Sequence, residues 1–220
     1  MIVAIDGPAG TGKGTVSKLI SERLDFLCID TGAMYRAVTL NFIRNNVNIA
    51  DLGDVLSILD KTKIDIEFDV SGQKTFLNGE DVSDKIRTPE INSLVSQISS
   101  IREIREKLVV LQRKFALDND IVMEGRDITT VVFPNADIKI YLTAEQSERA
   151  NRRYKEMMEK GIETTYDEVY ESIKKRDEND KNKEYGALKV ADDAVVVDST
   201  EMSIEEVYEK LKEIIFSKLN

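Results

Sequence analysis

Nine residues constrain this chain more than any other stretch. Gly7-Pro8-Ala9-Gly10-Thr11-Gly12-Lys13-Gly14-Thr15 follows the apolar run Ile2-Val3-Ala4-Ile5 and precedes Val16, Leu19, Ile20 and Leu24. The apolar run reads as a buried parallel strand, and the later spacing as a helix. Strand, glycine-rich turn and helix in that order are the setting of a phosphate-binding loop. Glycines let backbone N–H groups turn inward around phosphate oxygens, and the helix N-terminus adds a partial positive charge. A lysine in the place of Lys13 reaches the β- and γ-phosphates of ATP, and a hydroxyl after it can hold Mg²⁺. Here Gly14 follows the lysine, and the hydroxyl of Thr15 comes one residue later.

The rest of the chain repeats the alternation. Phe26-Leu27-Cys28-Ile29 reads as a second buried strand, with a helix after it through Ala33, Ala37 and Leu40. Ile121-Val122-Met123, Ile138-Lys139-Ile140-Tyr141-Leu142 and Ala194-Val195-Val196-Val197 read as three more strands. Helical stretches separate them, and one closes the chain over residues 204–219. Short apolar strands between helices predict a parallel sheet covered on both faces. One segment breaks the rhythm. Ile64, Ile66 and Phe68 alternate with polar residues, and Thr75-Phe76-Leu77 runs into Asn78-Gly79, a hairpin signal. Residues 62–87 therefore read as a small antiparallel insert between helical stretches over 51–61 and 88–117.

Composition excludes several chemistries. The chain of 220 residues has no histidine and one cysteine, Cys28, placed in a predicted buried strand. Histidine-based nucleophilic systems, histidine-ligated metals, internal disulfides and cysteine-cluster zinc all drop out. The net charge of −10 makes a poor general binder of nucleic acid or anionic membrane. With no long apolar run and no basic-apolar leader pattern, a cytoplasmic protein is expected. Nothing in the sequence argues for an oligomer.

Other charged residues gather at element ends. In a doubly wound sheet the C-terminal ends of the strands line the crevice, which should bring the loop of residues 7–15, Thr31, Glu124, Arg126 and Asp127 together. Arginines beside such a loop, Arg36 and Arg126 here, suit phosphoryl transfer, whose transition state spreads negative charge. A surface arginine paired with one of the 41 acids is the other meaning of the same residue. Arg176, Asp180 and Lys183 share a helix face by spacing: a face that closes over a nucleotide, or a solvated stabilising pair. Arg149, Arg152 and Arg153 fit either phosphate-clamping lid arginines or a basic stripe opposite Glu145 and Glu148. Asp69-Val70-Ser71-Gly72 and Asn182-Lys183-Glu184-Tyr185 only formally match the switch and base-reading loops of a GTPase.

Taken together, these motifs resemble a known family. The Gly-Lys-Gly-Thr form of the loop is similar to that of nucleoside monophosphate kinases. Asp30-Thr31-Gly32-Ala33-Met34-Tyr35-Arg36, Glu124-Gly125-Arg126-Asp127, Thr130-Val131-Val132-Phe133-Pro134 and Arg176-Asp177 with Asp180 resemble the bacterial cytidylate kinases, over essentially the whole chain. The resemblance implies a five-stranded parallel sheet with helices on both faces, an antiparallel insert in a monophosphate-binding lobe and a short lid. By that division the core takes residues 1–35, 118–150 and 190–220, the monophosphate lobe 36–117 and the lid 151–189. It implies phosphoryl transfer from ATP to CMP or dCMP with Mg²⁺. Gly7, Pro8, Ala9, Gly10, Thr11, Gly12, Lys13, Gly14 and Thr15 would hold ATP, with Thr15 toward the metal. Arg36 and Arg126 would hold the acceptor phosphate. Ser96, Arg105 and Asp127 would read the cytosine, and Tyr35, Arg176 and Asp180 would contact the sugar side. Arg152 and Arg153 look like lid arginines. The chain departs from the family pattern at Glu124 for Asp, Thr129 for Gly, Lys183 for Arg and Ala187 for Pro. Lysine cannot make the planar bidentate phosphate contact of arginine. Kinases for UMP, AMP or shikimate, and a non-catalytic nucleotide switch, are the rival readings.

The loop generates a first prediction. Lys13 serves phosphate charge on a turn expected to be exposed, so Lys13→Ala should abolish acceptor-dependent ADP release while the thermal unfolding transition stays cooperative. Full turnover in that variant would remove the loop from the mechanism.

Overall fold

The structure is a computed structural model, and it describes residues 1–69 and 72–218. Five parallel strands form the central sheet: β1 (Ile2–Asp6), β2 (Leu27–Asp30), β6 (Ile121–Gly125), β7 (Ile138–Thr143) and β8 (Val195–Asp198), in the order β2-β6-β1-β7-β8. Between β2 and β6 runs a three-stranded antiparallel sheet of β3 (Ile64–Asp69), β4 (Gly72–Leu77) and β5 (Glu80–Asp81). The helices are α1 (Lys13–Leu24), α2 (Thr31–Arg44), α3 (Leu52–Leu59), α4 (Pro89–Ile98), α5 (Arg102–Lys114), α6 (Gln146–Glu159), α7 (Tyr166–Asn182) and α8 (Ile204–Ser217). The parallel sheet, its flanking helices and the small antiparallel sheet are those read from the sequence.

Alternation along the strands decides which helix goes where. Val3, Ile5, Ile140 and Leu142 point to one face and pack on Val16 and Ile20 of α1 and Val207 and Leu211 of α8. Ala4, Ile29, Ile121 and Met123 point to the other, against Val109 of α5 and Ile128 and Val132. A second core lies beside the sheet. There Met34, Val38 and Phe42 of α2 meet Val55, Leu59, Ile64, Leu77, Val95 and Leu108. Each such side chain stabilises by roughly 1.5–3 kcal/mol on full burial. Ala150 of α6 packs on Val169 and Ile173 of α7, which makes a third, smaller unit.

Local chemistry sets the ends. Thr165 and Glu168 form a capping box at the start of α7, and Ser203 and Glu206 form another at the start of α8. Asn78 and Gly79 both have positive φ, 51° and 86°, the mirror-image turn that the Asn-Gly pair favours between β4 and β5.

Three details differ from the sequence reading. The 88–117 stretch is two helices. Ser99 and Ser100 hydroxyls donate to the Ser96 carbonyl at 3.0 and 2.9 Å, competing with helix continuation, and α5 restarts at Arg102. The sheet is not covered at its margins: β8 is an edge strand with Val195 and Val196 exposed, and Cys28 sits half-buried on the other edge strand. The end of the closing helix at Leu219, and Val70-Ser71 of the formal switch motif, lie outside the described residues. Among the described residues no helix is long and apolar enough to cross a membrane.

Since β1 is central and its neighbours β6 and β7 lead away in opposite directions, the strand order reverses at its C-terminal end, where a ligand crevice opens. Gly7 sits at that point. A Cβ built there would lie 2.0 Å from the carbonyl oxygen of Leu142 on β7. Gly7→Ala must therefore separate β1 from β7 at the loop. We expect a loss on the order of 3 kcal/mol or more in denaturant melts; a variant as stable as the parent would refute the contact.

Candidate functional site

The rims of β1, β2 and β6, together with α4 and the α6–α7 pair, enclose a cleft of about 1620 Å³. Of the nucleotide- and substrate-contacting residues expected from the sequence, all but Gly7 and Pro8 border it; Arg149, which shares its stretch with Arg152 and Arg153, does not. Gly7 and Pro8 form the base of the loop, Gly7 against β7 and Pro8 through its carbonyl.

The loop wraps around its own lysine. Lys13 is buried, not exposed as the sequence suggested; its Nζ donates to the Pro8 carbonyl at 2.7 Å and to Thr11 Oγ1 at 3.3 Å. Burial, and then the nearby Arg126, push its pKa down to about 7. Gly14 leaves room for the Glu124 carboxylate, whose Oε1 would stand 3.2 Å from a Cβ at that position. Burial raises the pKa of Glu124. Thr15 is exposed on the first turn of α1.

Arg36, Arg87, Arg105 and Arg126 are each held by a carboxylate. Asp30 caps α2 by accepting from Ala33 N at 3.0 Å, and its other oxygen takes Arg36 at 2.8 Å and Arg87 at 3.0 Å. Burial opposes ionisation of Asp30, but the two guanidinium groups hold its carboxyl below the usual range. Thr31 Oγ1 donates to the Glu124 carbonyl at 2.8 Å, which fixes the start of α2 to the end of β6. Arg126 Nε donates to Asp180 at 2.8 Å. Arg105 pairs with Asp127, both buried, and also donates to the Ser99 carbonyl at 3.0 Å; its guanidinium stands over the Tyr35 ring. Arg176 keeps a buried Nε with no partner among the described residues. Burial and the neighbouring Arg126 lower its pKa to about 10.

Three spacings resolve differently than their sequence readings. Lys183 does not share the helix face of Arg176 and Asp180. α7 ends at Asn182, and Lys183 follows with extended backbone. Its buried ammonium donates to Asp180 at 2.9 Å and to Ser99 Oγ at 2.9 Å, so it braces α7 against the end of α4. Burial lowers its pKa. Asp180 does not pair with Arg176 by i,i+4 spacing; its oxygens go to Arg126 and Lys183. Arg149 is neither a surface stripe nor a cleft residue. It is buried, donating to the carbonyls of Ala144 at 2.9 Å and Ala9 at 3.0 Å, and pairing with Asp177 at 2.6 Å. Arg152 is turned to Glu148 and to the carbonyls of Ser199 and Thr200, and Arg153 to Glu156. Met157 packs on the α6–α7 core and Met158 is exposed.

Sequence reasoning missed Asp30, Arg87 and Gln73 as parts of the site. Only Asp30 left a signal, as an Asx residue before a helix. Gln73 of the insert accepts from Asp30 N at 2.8 Å through Oε1 and donates to Asp30 O at 3.3 Å. No local pattern announces that contact.

The profile of the cytidylate kinase family matches residues 3–217. The chain belongs to the cytidylate kinase family. The protein named cytidylate kinase from Caldicellulosiruptor bescii is 49% identical over 97% of this chain and 95% of its own length. That from Carboxydothermus hydrogenoformans is 48% identical over 99% and 98%. Among solved structures, an uncharacterized protein from Eubacterium ventriosum shares the fold at 13% identity, with a TM-score of 0.55 over 99% of this chain and 98% of that one. Family membership makes the chain a kinase, and the cleft its candidate active site.

The Arg105–Asp127 pair is sealed by the segment after α7. Gly186 has φ +68°, and a Cβ there would lie 2.3 Å from the Arg105 guanidinium. Gly186→Ala should lower stability by about 1–3 kcal/mol. In a double-mutant cycle with Arg105→Ala the loss should shrink, since the clashing atoms are gone. Strict additivity would mean that the segment does not rest on Arg105.

Proposed function

We propose that this kinase transfers the γ-phosphoryl group of ATP to CMP or dCMP, giving ADP and CDP or dCDP, in one in-line step without a covalent intermediate. The observation that carries the choice of acceptor is the buried Arg105–Asp127 pair beside Ser96, in the same cleft as the phosphate-binding loop. Arg105 Nε and Ser96 Oγ are buried with no partner among the described residues. Buried polar groups need partners, and a hydroxyl, a guanidinium and a carboxylate lining one cleft suit a ligand with both acceptors and a donor. Cytosine has ring acceptors and an exocyclic amine. Uracil presents a carbonyl where cytosine has that amine.

The rest of the step follows from charge. An acceptor phosphate is already a nucleophile, so the protein has to bring two anions into line and stabilise the negative charge that spreads between them. Lys13 and the backbone of residues 7–15 would take the ATP phosphates. Arg36 and Arg126 would hold the acceptor phosphate, with Arg176, Arg152 and Arg153 closing on the transferring group. Tyr35 and Asp180 would face the sugar. Thr31 and Glu124 would shape the space between the two substrates, and Lys183 would hold Asp180 in place. Arg152 and Arg153 must leave their present partners to take part, which fits lobes of residues 36–117 and 151–189 that close over the substrates.

Mg²⁺ suits this donor set. The ion keeps several waters and takes one or two protein ligands plus substrate phosphates, and the exposed Thr15 hydroxyl bordering the cleft can serve as such a ligand or hold a bound water. When bound, it would neutralise charge on the ATP phosphates. The same reading makes the protein a cytoplasmic monomer acting on free nucleotides, without nucleic-acid or membrane partners.

A coupled ADP-release assay with CMP, dCMP, UMP and AMP tests this. CMP and dCMP should be the efficient acceptors. Preference for another acceptor would reassign the site, and no acceptor-dependent release would make the chain a nucleotide switch. In the same assay Asp127→Asn should narrow the CMP-over-UMP preference by about tenfold or more, the worth of a hydrogen bond to a charged group. Unaltered discrimination would place base reading elsewhere.

A further inference from the structure

Asp6 ends β1, one residue before the phosphate-binding loop, and is fully buried. Among the described residues its carboxylate hydrogen-bonds only to the turn that follows Arg126 and Asp127. Oδ1 accepts from Ile128 N at 2.8 Å; Oδ2 accepts from Thr129 N at 2.7 Å and Thr129 Oγ1 at 2.6 Å. That turn, Ile128–Val132, is π-helical: Val132 N reaches back to the Asp127 carbonyl at 3.2 Å, and Phe133 N to that of Ile128 at 2.7 Å. A π turn is rare and is found mostly at functional sites. Its first N–H groups have no partner inside the turn. Asp6 supplies the acceptors for Ile128 and Thr129.

The geometry points to Asp6 and Thr129 as positioning residues, a buried clamp that fixes Arg126 and Asp127 relative to the phosphate-binding loop. Neither borders the cleft. Gly7 follows Asp6 directly, and Arg126 and Asp127 precede the clamped turn directly, so a shift at the clamp separates donor side from acceptor side. The inference rests on the acceptor reading above for what Arg126 and Asp127 hold.

The clamp needs Asp6 ionised, because a proton on one oxygen removes an acceptor from a site of three donors. Burial pushes its pKa up to about 6, and the bonds from Thr129 and Ile128 work against that rise. The charged and titratable groups facing it are Asp127 on the adjoining turn, which also raises it, Lys13 on α1 and Tyr141 on β7. Below about pH 6 the clamp therefore loosens. Loss of the Thr129 hydroxyl removes a stabiliser of the ionised form, which moves that loosening to higher pH.

Thr129→Val tests this, since it keeps the shape and both backbone donors and deletes one hydroxyl. We expect KM for CMP to rise about tenfold, with KM for ATP nearly unchanged. The acid limb of kcat/KM for CMP should move to higher pH. The substrate phosphate titrates identically in both proteins and cancels in the comparison. Thr129→Ser, which keeps the hydroxyl, should behave as the parent. Unchanged CMP kinetics and acid limb, equal losses for ATP and CMP, or a lowered melting temperature alone would each overturn the clamp. Amide hydrogen exchange over residues 126–133 gives a readout that needs no acceptor. Exchange should quicken in Thr129→Val and recover in Thr129→Ser, and parental protection in both overturns the clamp whatever the acceptor. Failure of the parent to phosphorylate CMP would instead strike the acceptor reading, with the exchange result still deciding the clamp.

Discussion

The site stands on an electrostatic constraint: it gathers buried cations in and beneath one cleft, and most of them are anchored by carboxylates. Asp30 holds Arg36, Asp127 holds Arg105, Asp180 holds Arg126, and Asp177 holds Arg149. A buried pair of this kind adds little net stability, because desolvation offsets the attraction, but losing one partner strands the other at a cost of about 3–5 kcal/mol. The pairs therefore act chiefly on placement. They cross between elements, so the same bonds that neutralise the arginines also fix β6 to α7, α2 to its own cap, and α6 to both α7 and the loop. The excess that remains, Lys13 and Arg176, has pKa values pushed down by burial and by neighbouring cations. Phosphate groups are the chemistry that relieves it.

How much of this was legible in the sequence depends on distance along the chain. The order of strands and helices follows from periodicity, because a buried strand and an amphipathic helix each write their pattern within a few residues. The phosphate-binding loop was legible for the same reason. Its lysine and glycines lie within one turn of chain. The motifs around Arg36, Arg126 and Arg176 indicated a cleft and its residues, but not their partners. Asp180 lies 54 residues from Arg126, and Ser99 lies 84 from Lys183. Spacing on one helix suggested Arg176 with Asp180, and the tertiary fold chose Arg126 and Lys183 instead. Arg149 shows the limit in the other direction. Its local pattern is that of a surface stripe, and only the packing of α7 reveals that it supports the Ala9 carbonyl.

Small departures from helix and strand carry much of the arrangement. Ser99 and Ser100 break the helix between α4 and α5, and that break presents the Ser99 carbonyl to Arg105 and its hydroxyl to Lys183. Without it the two groups would sit in a continuous helix, the carbonyl engaged with its own i+4 amide. The extended backbone at Lys183 has the complementary effect, turning the chain back so that Leu188 N donates to the Asp180 carbonyl at 2.7 Å and Gly186 covers Arg105. Irregular backbone is thus concentrated where three elements meet over the cleft.

The two margins of the sheet are finished differently. At β8, Val195 and Val196 are exposed, and among the described residues no strand pairs with the outer side of β8. At β2 the insert reaches over and Gln73 engages both backbone groups of Asp30, one through each end of its amide. A side-chain amide has the same donor–acceptor pair as a peptide unit, so it imitates one residue of a sixth strand and then stops. An edge occupied at that residue is a poorer template for a further strand there, in this molecule or from another. The glutamine acts as a stop at the last residue of the strand: the backbone of the rim that carries Asp30 is already taken from within the molecule.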